Sequence, residues 1–273
     1  MKKLFFSCIF FVLIASLSFA HEADIKDDEL EHVQIIKNSA IYVVIASAAL
    51  IGIFILISLY IPKKKNRTKV LLFIGIALPA IFSTVYISGA TVYENLVSES
   101  KGPVHWHADF EVWNCGKKID LIDPKGLLNR IGTPEFHEHG DDRIHLEGTV
   151  LRKSYVDLHN FFQVVGGNLN NDYLFLPTDD GFLELGTGME CNGQEAQLQV
   201  FAYKITNPDA FANSGFYYTQ EKVEDFSNYI ISPYINVPPG DCIIVELDVP
   251  KEKTEHICSS YTLAEELGRM QKG

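Results

Sequence analysis

The chain is poor in the motifs that mark common enzyme chemistries. It has no Gly-x-Ser-x-Gly, so the exposed nucleophile turn of the α/β-hydrolases is missing. It has no Gly-x4-Gly-Lys loop to cradle phosphates. It has no Cys-x-x-Cys, which leaves a thioredoxin-type redox pair without support. Internal repeats and low-complexity tracts are lacking as well. Two long apolar runs, Ala40–Ile61 and Val70–Tyr93, contain no Asp, Glu, Lys, Arg or His. Intramembrane charges mark proton and ion relays, so their absence argues against transport. Basic residues are scarce after the apolar part: residues 92–273 carry 14 Lys/Arg and 29 Asp/Glu. Such a segment is a poor nucleic-acid binder, because counterion release needs clustered cations.

What is present divides the 273 residues into two parts. Residues 1–91 hold three apolar runs and are net positive, with 9 basic and 6 acidic residues. Lys2 and Lys3 precede the first run, which ends Ser18-Phe19-Ala20. Small residues three before and one before a cut predict a signal peptide over 1–20, cleaved after Ala20. Residues 21–39 then form a short extracytoplasmic segment. Residues 40–61 and 70–93 are each long enough to span a bilayer core of about 30 Å as helices. Pro79 inside the second span is tolerable in a membrane helix. The loop 62–69 between them carries five basic residues, which places it in the cytoplasm. The 94–273 domain therefore faces outward, with the chain an integral two-span membrane protein.

Apart from Cys8, the cysteines Cys115, Cys191, Cys242 and Cys258 all fall in that domain. An even count outside the cytoplasm predicts disulfides. Cys115–Cys191 is favoured because both residues sit in apparent hairpin turns, Asn114-Cys115-Gly116 and Cys191-Asn192-Gly193, leaving Cys242–Cys258. Alternation predicts strands at 104–113, 118–122, 143–151, 173–176, 182–185, 196–205 and 242–249. The i, i+3, i+4, i+7 spacing of Leu158, Phe161, Phe162 and Val165 predicts a helix over 154–165, with Ser154 and Asp157 as a capping pair. Thr262 and Glu265 predict the cap of a short terminal helix. The expected fold is thus a signal peptide, a two-helix transmembrane hairpin and an α+β, strand-dominated exported domain.

The chemistry concentrates in histidines. Nine occur, and five crowd into the 41 residues from His105 to His145. His105-x-His107 and His145-x-Glu147 lie in predicted strands, where residues i and i+2 share a face. His137-Glu138-His139-Gly140 reads as a loop leading into the second of these strands. Neutral imidazoles with a carboxylate suit zinc, copper(II) or iron. His105, His107, His137, His139, His145 and Glu147 are therefore the expected ligands of one transition-metal ion, copper or zinc before iron. Asp109 and Glu111 are candidates to orient the imidazoles from behind. In an enzyme, Glu147 or Glu138 would serve as general base on a metal-bound water. His32, His159 and His256 read as ordinary surface or core residues, and Trp106 and Trp113 as packing residues. A pH-responsive cluster without metal is the competing reading.

The run His105-Trp-His107-Ala-x-Phe-Glu-Val-Trp, then His137-x-His139-x3-Arg-Ile-His145-Leu-Glu147, then Leu158-x-x-Phe161-Phe162, resembles a group of uncharacterised membrane-anchored exported proteins of archaea and bacteria. The resemblance covers roughly residues 104–250. It implies a metal site and an exported location and names no reaction. A further resemblance concerns His21, the N-terminus expected after cleavage. The extracytoplasmic subunit of particulate methane and ammonia monooxygenases joins an N-terminal histidine to a His-x-His to bind copper. The rest of the chain does not look like that subunit.

Overall fold

A computed structural model describes residues 28–62, 65–127, 129–210 and 215–273. The expected signal peptide, its cleavage point, His21, and Lys63 and Lys64 of the basic loop lie outside the described residues. The chain divides into two compact units, Met1–Val92 and Tyr93–Gly273.

Among the described residues, the first unit holds α1 (Asp28–Tyr60) and most of α2 (Asn66–Val97), both long and apolar enough to cross a membrane. Each exceeds the apolar run that predicted it. Helix α1 begins at Asp28, inside the stretch expected to be a short segment preceding the first span. The apolar run sets only how much helix a bilayer can bury; backbone hydrogen bonding continues past it. Pro79 interrupts α2 without ending it. The Ser83 and Thr84 hydroxyls donate to the Ala80 carbonyl just beyond it, at 3.0 and 2.8 Å. At Gly75 a Cβ would fall 2.6 Å from the Phe54 ring, which would have to move to admit a larger residue.

The second unit is built on a nine-stranded sheet. Its strands are β1 (Pro103–Asn114), β2 (Lys117–Ile119), β3 (Ile131–Gly132), β4 (Phe136–Glu138), β5 (Arg143–Thr149), β11 (Gln197–Ile205), β12 (Phe216–Val223), β13 (Cys242–Asp248) and β14 (Met270–Lys272). Their order is β14-β12-β11-β13-β1-β5-β4-β3, with β2 paired to the far end of β1. A smaller sheet of β6 (Asn168–Asn170), β7 (Tyr173–Thr178) and β8 (Gly181–Gly186) and the hairpin β9 (Glu190–Cys191), β10 (Gln194–Glu195) complete the strands.

Strand parity assigns the faces. Ala108, Phe110, Val112, Ile144, Leu146, Val200 and Val245 point to one side, where they meet Phe161 and Phe162 of α3 (Leu158–Val164) and Leu174, Leu176 and Leu185 of the small sheet. This is the main core. On the other face, Phe201, Tyr203, Cys242 and Ile244 pack under α4 (Ser259–Glu266) through Tyr261. That second core covers the β11–β13 half only. Over β1, β5 and β4 the same face is polar, with His105, His107, Asp109 and Glu111 on β1, Arg143, His145 and Glu147 on β5, and His137 on β4.

Two helix starts differ from expectation. Residues Lys153–Tyr155 form a 3-10 turn, and α3 begins only after Asp157. Asp157 is extended and accepts from the Asn160 amide at 2.8 Å, so it is the N-cap itself and not the partner of Ser154. Helix α4 starts at Ser259 with Cys258 at its N-cap, which leaves Thr262 inside it. The disulfides are Cys115–Cys191, closing a separation of 76 residues, and Cys242–Cys258, closing 16. Cys115 lies in a two-residue hairpin turn with Gly116, and Cys191 immediately precedes the Asn192-Gly193 turn. All four turn residues have positive φ, as type I′ hairpins require.

Candidate metal centre

The imidazoles meet because of register. His107 lies opposite His145, and His145 lies opposite His137, so three histidines form a row across β1, β5 and β4. His105 lies opposite Glu147 in the adjoining row. His137 was expected in a loop; it is a strand residue, in β4, and this pairing is what brings it to His145. His139 follows just beyond β4, before the left-handed turn at Gly140 (φ 76°).

Ring contacts run in a chain. The centroids of His105 and His107 are 4.5 Å apart, and those of His107 and His145 are 4.7 Å apart. His145 lies 5.4 Å from His137 and 4.8 Å from His139. The ligand atoms of His105, His107 and His145 fall within 4.8 Å of one another, as do those of His137, His139 and His145. His137 Nε2 and His139 Nε2 are 3.1 Å apart. With metal–nitrogen bonds of about 2.0–2.1 Å, two ligands on one ion are separated by about 2.9 Å at a right angle and about 3.4 Å at a tetrahedral angle. The observed distance lies between these.

In two of the five rings the second nitrogen is held by backbone. His107 Nδ1 is 2.6 Å from the Ile235 carbonyl, and His139 Nδ1 contacts the Asn129 carbonyl. A carbonyl only accepts, so both rings carry their proton on Nδ1 and keep a lone pair on Nε2. His137 is 2% exposed, and its Nδ1 has no hydrogen-bond partner. If its Nε2–H donates to His139, Nδ1 is left as a buried lone pair without a donor. Burial holds the His137 and His107 imidazoles below their ordinary pKa of 6.5, with help from the neighbouring histidines. Both are neutral, and hence able to ligate, at pH 7.

The carboxylates divide by role. Glu147 Oε1 is 3.1 Å from His105 Nε2 at the exposed end, and Asp141 Oδ2 is 3.4 Å from His145 Nε2. Asp141 was not among the expected site residues; its signal in the sequence is only its place four before His145. Glu138 is buried and its Oε1 accepts the Asp141 amide at 2.6 Å, which fastens the loop 138–141, while its Oε2 has no hydrogen-bond partner. Asp109 and Glu111, expected behind the imidazoles, are engaged elsewhere. Asp109 accepts from Arg143 Nε at 2.6 Å. Glu111 accepts from Lys118 Nζ and Trp113 Nε1, both at 3.0 Å. His159 is bonded to the Leu169 carbonyl and His256 stacks on Trp113, both away from the cluster.

No family model, curated protein or solved structure matches the chain. The motif resemblance therefore brings no established activity, and the chemistry follows from these side chains alone.

The residues that sequence reasoning missed are largely backbone. The segment 231–241 straps His107: its amide donates to the Tyr234 carbonyl at 2.8 Å while Ile235 takes its ring. Asp241, fully buried, anchors the strap by accepting from Tyr229 Oη and the Ser232 amide. Gly240 fits because it has no side chain; a Cβ there would sit 2.4 Å from the His107 carbonyl. Gly240→Ala is expected to displace the strap and the Ile235 carbonyl, lowering metal affinity about 10- to 100-fold, the usual cost of losing a partner behind a ligand. Competition titration of the full-length protein measures this, and an unchanged affinity would disconnect the strap from the site.

Proposed function

We propose that the chain is a membrane-anchored protein that binds one transition-metal ion, copper or zinc, through His105, His107, His137, His139 and His145, with Glu147 able to join. The observation that carries this reading is the pair of convergent three-histidine sets, in each of which one ring, His107 or His139, is oriented through Nδ1 by a main-chain carbonyl. Neutral imidazole is the preferred donor of both ions; copper(II) has the higher intrinsic affinity, and zinc is the commoner occupant of such sites. In the same reading residues 1–20 are a cleaved signal peptide, α1 and α2 span the membrane, the loop 62–69 is cytoplasmic and the domain 94–273 is extracytoplasmic. The role that fits is capture, delivery or sensing of metal at the cell surface. A catalytic role has less support, because Glu147 pairs with His105 and one oxygen of the buried Glu138 is tied to its own loop.

The pH dependence tests the ligand set. Imidazoles must be deprotonated to bind metal. Because the His107 and His137 pKa values lie below 6.5, the loss of affinity that these two ligands cause should begin only below about 6.5, by about tenfold per pH unit for each of them that protonates. The metal-free domain should lose stability in the same direction. As pH falls through 6.5 the unfolded chain takes up protons that these two folded imidazoles refuse. Affinity insensitive to pH between 5 and 7 would exclude histidine ligation.

A further inference from the structure

We infer that the cluster is two overlapping three-histidine positions that share His145, an outer one with His105 and His107 and an inner one with His137 and His139, and that a single ion passes from the outer to the inner. This rests on the metal-binding reading above and adds a direction to it.

Three observations support the division. The two convergent sets have only His145 in common. His107 and His137 lie on strands two apart, with β5 between them. Neighbouring strands are about 4.8 Å apart, so ions centred over the β1–β5 and β5–β4 gaps would be about 5 Å from each other. The ring contacts trace the same path, His105 to His107 to His145, then to His137 and His139.

The direction comes from burial and charge. The His105 side chain is 57% exposed, that of His145 12%, and His137 is 2% exposed overall. The exposed end carries Glu147, beside His105. Residues 92–273, with 29 acidic and 14 basic residues, concentrate cations near this surface. An ion arriving at the outer position meets water, a carboxylate and the exposed His105 ring, beside His107, which the Ile235 carbonyl holds. At the inner position it meets imidazoles held in place by the Asn129 carbonyl and by β4 itself. His145 is a ligand in both, so an ion moving inward exchanges His105 and His107 for His139 and His137 without ever being released. With His145 offering one nitrogen to either set, the cluster holds one ion at a time.

The test uses copper(II) alone with the full-length protein in detergent. Electron paramagnetic resonance is recorded for the wild type, His105→Ala/His107→Ala and His137→Ala/His139→Ala. His139→Ala, on the half-buried loop residue, is a fourth variant in case the buried substitution unfolds the domain. Tryptophan fluorescence, reporting Trp106 and Trp113 on β1, checks folding. Wild type should bind one equivalent, and each double variant should still bind one, with two distinct spectra: the variant lacking His105 and His107 at near wild-type affinity, the variant lacking His137 and His139 at about 10- to 1000-fold lower affinity. At equilibrium the wild type should match the variant lacking His105 and His107. After rapid mixing it should first show the spectrum of the variant lacking His139. If removing either pair abolishes binding, the site is a single mixed one and the relay is wrong. Two equivalents in the wild type would equally overturn it. A wild type that takes up no copper, zinc or iron instead sinks the metal reading itself.

Discussion

His145→Ala is expected to weaken copper(II) or zinc binding more than any other single histidine substitution, by well over 100-fold. His145 is in ring contact with His107, His137 and His139 and belongs to both convergent sets. Its loss leaves two imidazoles in each, and a bound ion needs three or four protein ligands to compete with water. His105→Ala, by contrast, removes one exposed member of the outer set and is expected to cost at most about tenfold. The fold should tolerate both substitutions. His145 points from the polar face of β5, and its strand pairing is made by backbone, so the change in stability should stay within about 1 kcal/mol. Equal losses for the two variants, measured by competition against a chelator of known affinity, would mean that His145 has no special position.

Replacing Cys115 and Cys191 together by serine should destabilise the strand-rich domain by about 4 kcal/mol. The bond closes a separation of 76 residues, and the loop-entropy relation gives roughly that value for a loop so long. For a domain of this size the unfolding midpoint should fall by about 10 °C, followed through Trp106 and Trp113, the chain's two tryptophans. The Cys242–Cys258 pair closes only 16 residues and should contribute about 3 kcal/mol. The same residues test sidedness. Protein extracted under a thiol trap should show all four cysteines blocked by pairing, because disulfides persist outside the cytoplasm and not within it. Four free thiols, or a domain indifferent to the double replacement, would contradict the outward placement.

The sequence revealed the long elements and the ligand types better than their meeting. Strand β1 is twelve residues with clear alternation, and it was predicted to within a residue of each end. The His-x-His and His-x-Glu spacings placed their side chains on one face because strand parity is a local property. Strand β4 was not legible: three residues between Pro134 and Gly140 are too few to show a period, so His137 read as a loop residue. Strand β12 was missed because Phe216–Val223 mixes aromatic and charged residues without strict alternation. Which histidines converge depends on the register of β5 against β1 and β4, a long-range property that local spacing does not encode. The carbonyls of Ile235 and Asn129, which fix two rings, carry no side-chain signature at all. Gly240 stood in a Pro-Pro-Gly turn, and nothing in that turn signalled its closeness to His107.

The most direct measurement is metal analysis of the full-length protein, purified in detergent without a polyhistidine tag and exposed in turn to copper, zinc and iron. About one equivalent of one ion per chain, lost on acidification below about pH 6, is the expected result. A folded chain that stays metal-free with all three would leave the histidine row a hydrogen-bonded surface and contradict the proposed function.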